Sequence, residues 1–228
     1  MVEMEIIEKT RPPRYQRELE EEYKRLKIAS TSLKYIKTPR PVNLTPGVLY
    51  TEKMPGHNSV YFKHSLPVTK ILDEYVKILK MLSKELLKTT KDFTPNWVNH
   101  PKIIKKGNLH PDFKDKTIQE LEAILKNRPN DIAENYGLVH GDLCPVNIMM
   151  DNNGAAYGLV DLGDMHMGDR RLDIAVLSWT IRGNFGPEAE KEFFRKVDES
   201  IDASIIQYYR LIYDMSLPEY KDWSWIKK

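Results

Sequence analysis

The 228-residue chain is 41% apolar and 30% charged, an ordinary globular composition that suits one compact domain or two small lobes. Its formal net charge of +2, with acidic and basic residues interleaved as in Glu18 to Lys27, gives no ground for a nucleic-acid partner. The single cysteine, Cys144, excludes an intrachain disulfide, and no apolar run is long enough for a signal peptide or a bilayer span, so a cytoplasmic protein without a membrane partner is expected.

Val2, Met4, Ile6 and Ile7 stand between acidic residues up to Lys9, the alternation of a half-buried strand. Pro12 and Pro13 stop extended pairing, and Tyr15 to about Ile28 is rich in helix formers with an apolar stripe through Leu19 and Leu26. A proline-punctuated stretch, Lys37 to Pro46, leads to a strand at Gly47 to Glu52, which stops at the turn Met54-Pro55-Gly56. Leu66 to Leu87 is the longest helical pattern, with Ile71, Leu72, Tyr75, Val76, Leu79, Leu82 and Leu86 recurring at helical spacing. Residues 88 to 112 carry no assignment, and Thr117 to Lys126 reads as a helix.

Tyr136 to Val139 is short and apolar, and a polar loop begins at His140. Asn147 to Met150 and Ala156 to Val160 flank Asp151-Asn152-Asn153-Gly154, a hairpin signal. Beyond Asp161 come a loop, an apolar helix from Asp169 to about Arg182, and further helix from Pro187 to Met215. A tight hairpin sets its far ends side by side, which brings Asp142 and Asn147 near Asp161. Two carboxylates and a carboxamide are hard oxygen ligands suited to Mg²⁺, which needs few protein ligands because water and phosphates complete its shell.

His140-Gly141-Asp142-Leu143-Cys144-Pro145-Val146-Asn147, followed by Val160-Asp161-Leu162-Gly163, resembles the catalytic and metal-binding loops of the aminoglycoside phosphotransferase and choline kinase superfamily. Gly168-Asp169-Arg170-Arg171-Leu172-Asp173-Ile174-Ala175 resembles the Asp-Arg-x-x-Asp-Ile-Ala segment of antibiotic kinases that act on a sugar 3'-hydroxyl. The resemblance implies a two-lobed, protein-kinase-like α+β fold. A reduced β-lobe would span residues 1–52 and bind nucleotide, and a mainly helical lobe with the catalytic hairpin would span 53–228. It also implies transfer of the γ-phosphoryl group of ATP, with Mg²⁺, to a hydroxyl of a small molecule of aminoglycoside, sugar or amino-alcohol type.

Under that resemblance Asp142 orients the acceptor hydroxyl and takes its proton, while Asn147 and Asp161 hold the cation. His140, Gly141, Gly163, Asp169 and Asp173 support the site: His140 through hydrogen bonds, Gly141 by freeing the turn, Asp169 as a helix N-cap and Asp173 as a buried anchor of the loop. Leu49 to Gly56 resembles the strand and hinge between the lobes, so backbone groups around Glu52 and Met54 would meet adenine. Lys9 would bind the phosphates and pair with Glu22, with Glu18 and Glu21 as near competitors. The kinase pattern starts with a hairpin bearing a Gly-rich loop, yet the first glycine here is Gly47. The nucleotide lobe is therefore expected to be pared down, to begin further upstream, or to have its phosphates covered by another element.

Asp92, Asp112, Asp115, Glu120 and Glu122 would either suit a cationic substrate or cover the surface, and Asp164 and His166 would either touch substrate or be solvated loop residues. Two other readings are a pseudokinase-like module that binds a nucleotide or partner without turnover, and a compact atypical protein kinase.

Overall fold

The structure, a computed structural model, describes residues 5–87, 93–99, 109–197 and 201–217. Its first layer is β1 (Ile6–Thr10), α1 (Gln16–Ser32), β2 (Pro41–Thr45) and β3 (Val48–Glu52), with the strands antiparallel in the order β1-β3-β2. Pro13 opens a single 3-10 turn that runs into α1, where its fixed φ suits a helix start and its missing N–H leaves nothing unpaired. Leu19, Glu22, Arg25, Leu26 and Ala29 recur at helical spacing and form the buried face of α1, which lies against β2 and β3.

β2 occupies the stretch expected to be an irregular lead-in. Proline is admitted at the first residue of an outer strand, where its absent N–H removes no ladder bond, and Pro41 stands there. The β2–β3 turn closes at Gly47, whose φ of +80° is a conformation side chains resist.

The second layer begins with β4 (His57–Asn58) and α2 (Val68–Leu82). α2 is shorter than its apolar pattern: Pro67 is its N-cap, and the chain leaves the helix after Leu82. That exit lets Glu85 turn back, so its carboxylate accepts the N–H groups of Lys34 (2.8 Å), Tyr35 (2.5 Å) and Ile36 (3.1 Å) just after α1. Short helices α3 (Asn96–Asn99) and α4 (Pro111–Lys114) precede α5 (Ile118–Lys126), which opens on a capping box between Thr117 and Glu120.

β5 (Tyr136–Val139), β6 (Ile148–Met150), β7 (Ala156–Leu159) and β8 (His166–Asp169) follow, then α6 (Arg171–Phe185), α7 (Pro187–Val197) and α8 (Ala203–Ser216). β6 and β7 form an antiparallel hairpin extended by β4, with Asp151 accepting the N–H groups of Asn153 and Ala155 across the turn, both at 2.9 Å. β8 lies where the sequence pattern predicts a loop. It is a strand because it pairs with β5, a partner far upstream that no local pattern reveals. α6 is buried on nearly every side, with α2, α7 and α8 packed on it.

Lys37 stitches the two layers together. Its N–H donates to Tyr157 O (3.1 Å) and its carbonyl accepts from Leu159 N (2.9 Å). Gly158 permits the approach: a Cβ there would lie 2.4 Å from Met54 Cε and 2.7 Å from Lys37 O. Among the described residues no helix is long and apolar enough to cross a membrane. Glu85→Ala would leave the buried Ile36 N–H and the partly buried Lys34 and Tyr35 N–H groups without their acceptor and is expected to lower stability by about 2 kcal/mol, read as a drop in the urea midpoint; Glu85→Gln should lose less.

Candidate active site

The loop after β5 is shaped by one carboxylate. Asp173, in the first turn of α6 and 1% exposed, accepts the N–H of His140 at 2.7 Å and that of Gly141 at 3.0 Å. Burial pushes its pKa to about 6, against the pull of His140 and the two amides. Gly141 takes φ +88°, and a Cβ there would come within 2.6 Å of Asp164 Cβ, so only glycine passes. The Asp142 N–H donates to His140 Nδ1 (3.3 Å), which leaves the ring proton on Nε2 to bond Val160 O (2.9 Å). His140, fully buried, thereby ties the loop to the residue before Asp161.

Asp142 projects from this frame into the cleft, half-buried. Its Oδ1 accepts from the Tyr213 hydroxyl (2.6 Å) and its Oδ2 from Asn147 Nδ2 (3.1 Å). Burial raises its pKa to about 6, with Asp161 and Asp164 adding and the two hydrogen bonds opposing. Asn147 Nδ2 also donates to the Asp142 carbonyl (2.9 Å), so the amide nitrogen is committed and the amide oxygen is left to ligate. Val160 N donates to Asn147 O at 3.0 Å and brings the next residue, Asp161, alongside. Asp161 has φ +60°, the left-handed conformation that no other described non-glycine residue adopts, and such strain costs roughly 1–2 kcal/mol.

Lys9, near the end of β1, places its Nζ 2.7 Å from Glu22 Oε2 and 2.6 Å from Asp161 Oδ1. Burial works against its charge, but the two carboxylates outweigh burial and hold the pKa above the ordinary lysine value. Of the three glutamates considered on α1, Glu22 is the one the structure brings to Lys9. Glu21 pairs with Lys24 and Arg25, and Glu18 is exposed. A Cβ on Gly163 would meet Asp161 Oδ1 and Glu22 Oε2 at an ordinary 3.9 Å, so the structure gives that glycine no steric necessity.

Asp169 differs from its expected place. It ends β8, and the residue before α6 is Arg170, because the β5 pairing carries the strand one residue further. Its carboxylate does accept Arg171 N (3.0 Å), together with the Arg171 guanidinium and the Tyr209 hydroxyl, as a buried anchor. Glu52 N–H is spent on Arg40 O (2.9 Å) and its side chain on Arg40, while Met54 is buried against Gly158. His166 is not a solvated loop residue: β8 buries it, with Nδ1 2.7 Å from Asp164 O.

Of the acidic residues offered for a cationic substrate, Asp112 is engaged by Trp179 Nε1 and Arg182, Asp115 caps α4, and Glu120 belongs to a capping box. Glu122 is exposed, and Asp92 lies outside the described residues. The acidic wall of the cleft comes instead from Asp142, Asp161 and Asp164. Trp97 of α3 stands beside it, its Nε1 3.4 Å from Asp164 Oδ1 and its ring edge-on to Tyr213.

Three residues of the site escaped the sequence reading. Arg25 donates to Met165 O and Phe93 O, both at 2.9 Å, and so fastens α1 to the loop after Asp161. Its signal was available, one turn beyond Glu22 on the same helix face. Trp97 and Tyr213 carried none, because they reach the site from distant segments.

Among the described residues no cluster of three or more His, Cys, Asp or Glu forms a metal cage. Asp161 and the Asn147 amide oxygen fit a hard cation that takes its other ligands from water and phosphates. Asp173→Ala would strand two buried amides and is expected to lower stability by about 3 kcal/mol, measured by chemical denaturation.

Residues 5–203 match the phosphotransferase enzyme family. A probable aminoglycoside 3'-phosphotransferase of Lactococcus lactis is 31% identical over 83 residues, 36% of this chain and 31% of that protein. An aminoglycoside 3'-phosphotransferase of Niallia circulans is 29% identical over 115 residues, 47% of this chain and 43% of that protein. The matches thus span less than half the length of these curated relatives. Among solved structures, an aminoglycoside-3'-phosphotransferase of type VIII superposes with a TM-score of 0.70 at 24% identity, over 93% of this chain and 85% of that one. The aminoglycoside phosphotransferase APH(3'')-Id of Streptomyces rimosus, in complex with ADP and streptomycin, gives 0.73 at 20% identity over 93% and 87%. Choline kinase LicA of Streptococcus pneumoniae gives 0.60 at 15% over 94% and 76%. With a protein-kinase-like α+β fold and a match over most of its length, the chain belongs to the phosphotransferase enzyme family.

Proposed function

We propose that this chain transfers the γ-phosphoryl group of ATP, with Mg²⁺, to a hydroxyl of a small molecule of aminoglycoside, sugar or amino-alcohol type. The observation that carries the proposal is the bridging of Lys9 to both Glu22 and Asp161, in one hydrogen-bonded frame with Asp142 and Asn147.

Lys9 holds the phosphates and Glu22 steadies Lys9, within a nucleotide lobe that reaches to residue 52; the helical lobe from residue 53 supplies the rest. Asp161 and the Asn147 amide oxygen hold Mg²⁺, which when bound neutralises charge on the phosphates. Asp142 orients the acceptor hydroxyl and receives its proton as the acceptor oxygen bonds to the γ-phosphorus and ADP departs. Positioning and charge neutralisation supply most of the acceleration in a loose transition state, so Asp142 need not be a strong base. The carboxylates of Asp142, Asp161 and Asp164 beside the Trp97 ring support a cationic acceptor. A cytoplasmic location fits the requirement for ATP.

Asp142→Ala and Asp161→Ala are each expected to lower transfer by at least about a hundredfold with the fold intact by circular dichroism; wild-type turnover in either variant would refute the roles. Lys9→Met is expected to raise KM for ATP by roughly tenfold or more. The reaction is tested by ATP consumption with Mg²⁺ across aminoglycosides, sugars, amino-alcohols and amino acids. ATP binding with no transfer to any of them would favour the reading as a binding module without turnover.

A further inference from the structure

α8 begins where the family match ends, at residue 203, yet it reaches into the site. Tyr209 and Tyr213 stand four residues apart and so share one helix face. Each gives its hydroxyl to a carboxylate of the catalytic layer: Tyr209 to Asp169 Oδ2 at 2.7 Å, and Tyr213 to Asp142 Oδ1 at 2.6 Å. The helix is held in that register from a second side. Asp214, fully buried, accepts the His110 N–H at 2.8 Å, and the Trp97 ring packs edge-on against Tyr213. Burial first, and the Asp142 carboxylate second, push the Tyr213 phenol above its ordinary pKa, so it stays a donor.

The two hydroxyls do different things. Asp169 is already gripped by the Arg171 guanidinium and the Arg171 N–H, so Tyr209 adds one bond to a fixed group. The Asp142 carboxylate has no such grip. Asp173 and the His140 ring hold the backbone of its loop, but neither touches its carboxyl oxygens. Among the described residues the hydrogen bonds to those oxygens come from Asn147 on Oδ2 and Tyr213 on Oδ1. A carboxylate oxygen can accept two hydrogen bonds, so each keeps one position for an incoming hydroxyl. The direction of that position is set by the donor already in place.

We propose that Tyr213 is a positioning residue for phosphoryl transfer: its hydroxyl fixes the rotamer in which the Asp142 carboxylate meets the acceptor hydroxyl. The inference rests on the proposed function. Without the phenol hydroxyl, Oδ1 is released and the carboxylate turns about its side-chain bonds while Lys9, Asn147 and Asp161 stay in place. The rate of the chemical step falls and nucleotide affinity does not.

The test uses the full chain with Mg²⁺-ATP and whichever of kanamycin, streptomycin, glucose and choline is turned over fastest, with ATP hydrolysis by water measured alongside. Tyr213→Phe is expected to lower kcat roughly tenfold or more with KM for ATP within about twofold of wild type. Tyr209→Phe, which loses the same group from the same helix, is expected to lower the melting temperature and leave kcat within about twofold. An active wild type with an equally active Tyr213→Phe overturns the inference alone. So does an equal kcat loss in Tyr209→Phe or an unfolded Tyr213→Phe, since each assigns the hydroxyl to stability. A wild type that neither phosphorylates these compounds nor hydrolyses ATP overturns the phosphotransferase reading, and the inference with it.

Discussion

The Asp173 carboxylate grips two consecutive backbone N–H groups, those of His140 and Gly141, and the rest of the site depends on that grip. Two amides turned toward one acceptor force the chain through the left-handed conformation at Gly141. That turn sets Asp142 outward and brings its N–H back onto the His140 ring. The ring then has one proton left to give, and Val160 receives it. A carboxylate at the start of α6 thus positions both Asp142 and the strand end that carries Asp161. Burial of Asp173 makes the arrangement demanding, because a buried carboxylate without donors costs several kcal/mol.

A second constraint is electrostatic. Asp142, Asp161, Asp164 and Glu22 crowd one cleft, and Lys9 sits between two of them. Burial raises the proton affinity of the Asp142 carboxylate, and the neighbouring Asp161 and Asp164 charges add to it. Arg25 faces Asp164 and Glu22, and Arg11 faces Glu22, so three cations stand against the four carboxylates. Acidic groups still outnumber basic ones there, which favours positive charge in the cleft. The strained backbone of Asp161 belongs to the same account, since its direct ion pair with Lys9 helps hold a conformation that the residue would leave on its own.

The three-stranded sheet is small; its layer shares one apolar core with the helical layer through Leu19, Leu26, Ala29, Ile36 and Leu49, and hydrogen bonds tie the two together. Lys37 exchanges two hydrogen bonds with the β7 strand, Glu85 binds three amides beyond α1, and Arg25 reaches two carbonyls across the cleft. These contacts fix where α1 lies, and with it Glu22 and Lys9. β1 stands at the sheet edge, so Lys9 is only partly covered.

The meeting of the two polar loops was legible in the sequence. His140 to Asn147 and Val160 to Gly163 are short segments joined by a hairpin whose turn residues state its geometry, so their meeting is a local event. The buried face of α1 and the cap at Thr117 were legible for the same reason. Other features depended on partners far away in the chain. β8 is a strand only because β5 lies beside it, which moved the start of α6 to Arg171 and made Asp169 a buried anchor. Glu22 outranks Glu18 and Glu21 only once α1 is rotated against the sheet. Tyr213 and Trp97 enter the cleft through packing that no periodicity encodes. Local backbone chemistry is written within a few residues, whereas side-chain convergence is decided by how the layers close on one another, and that closing is a property of the folded chain alone.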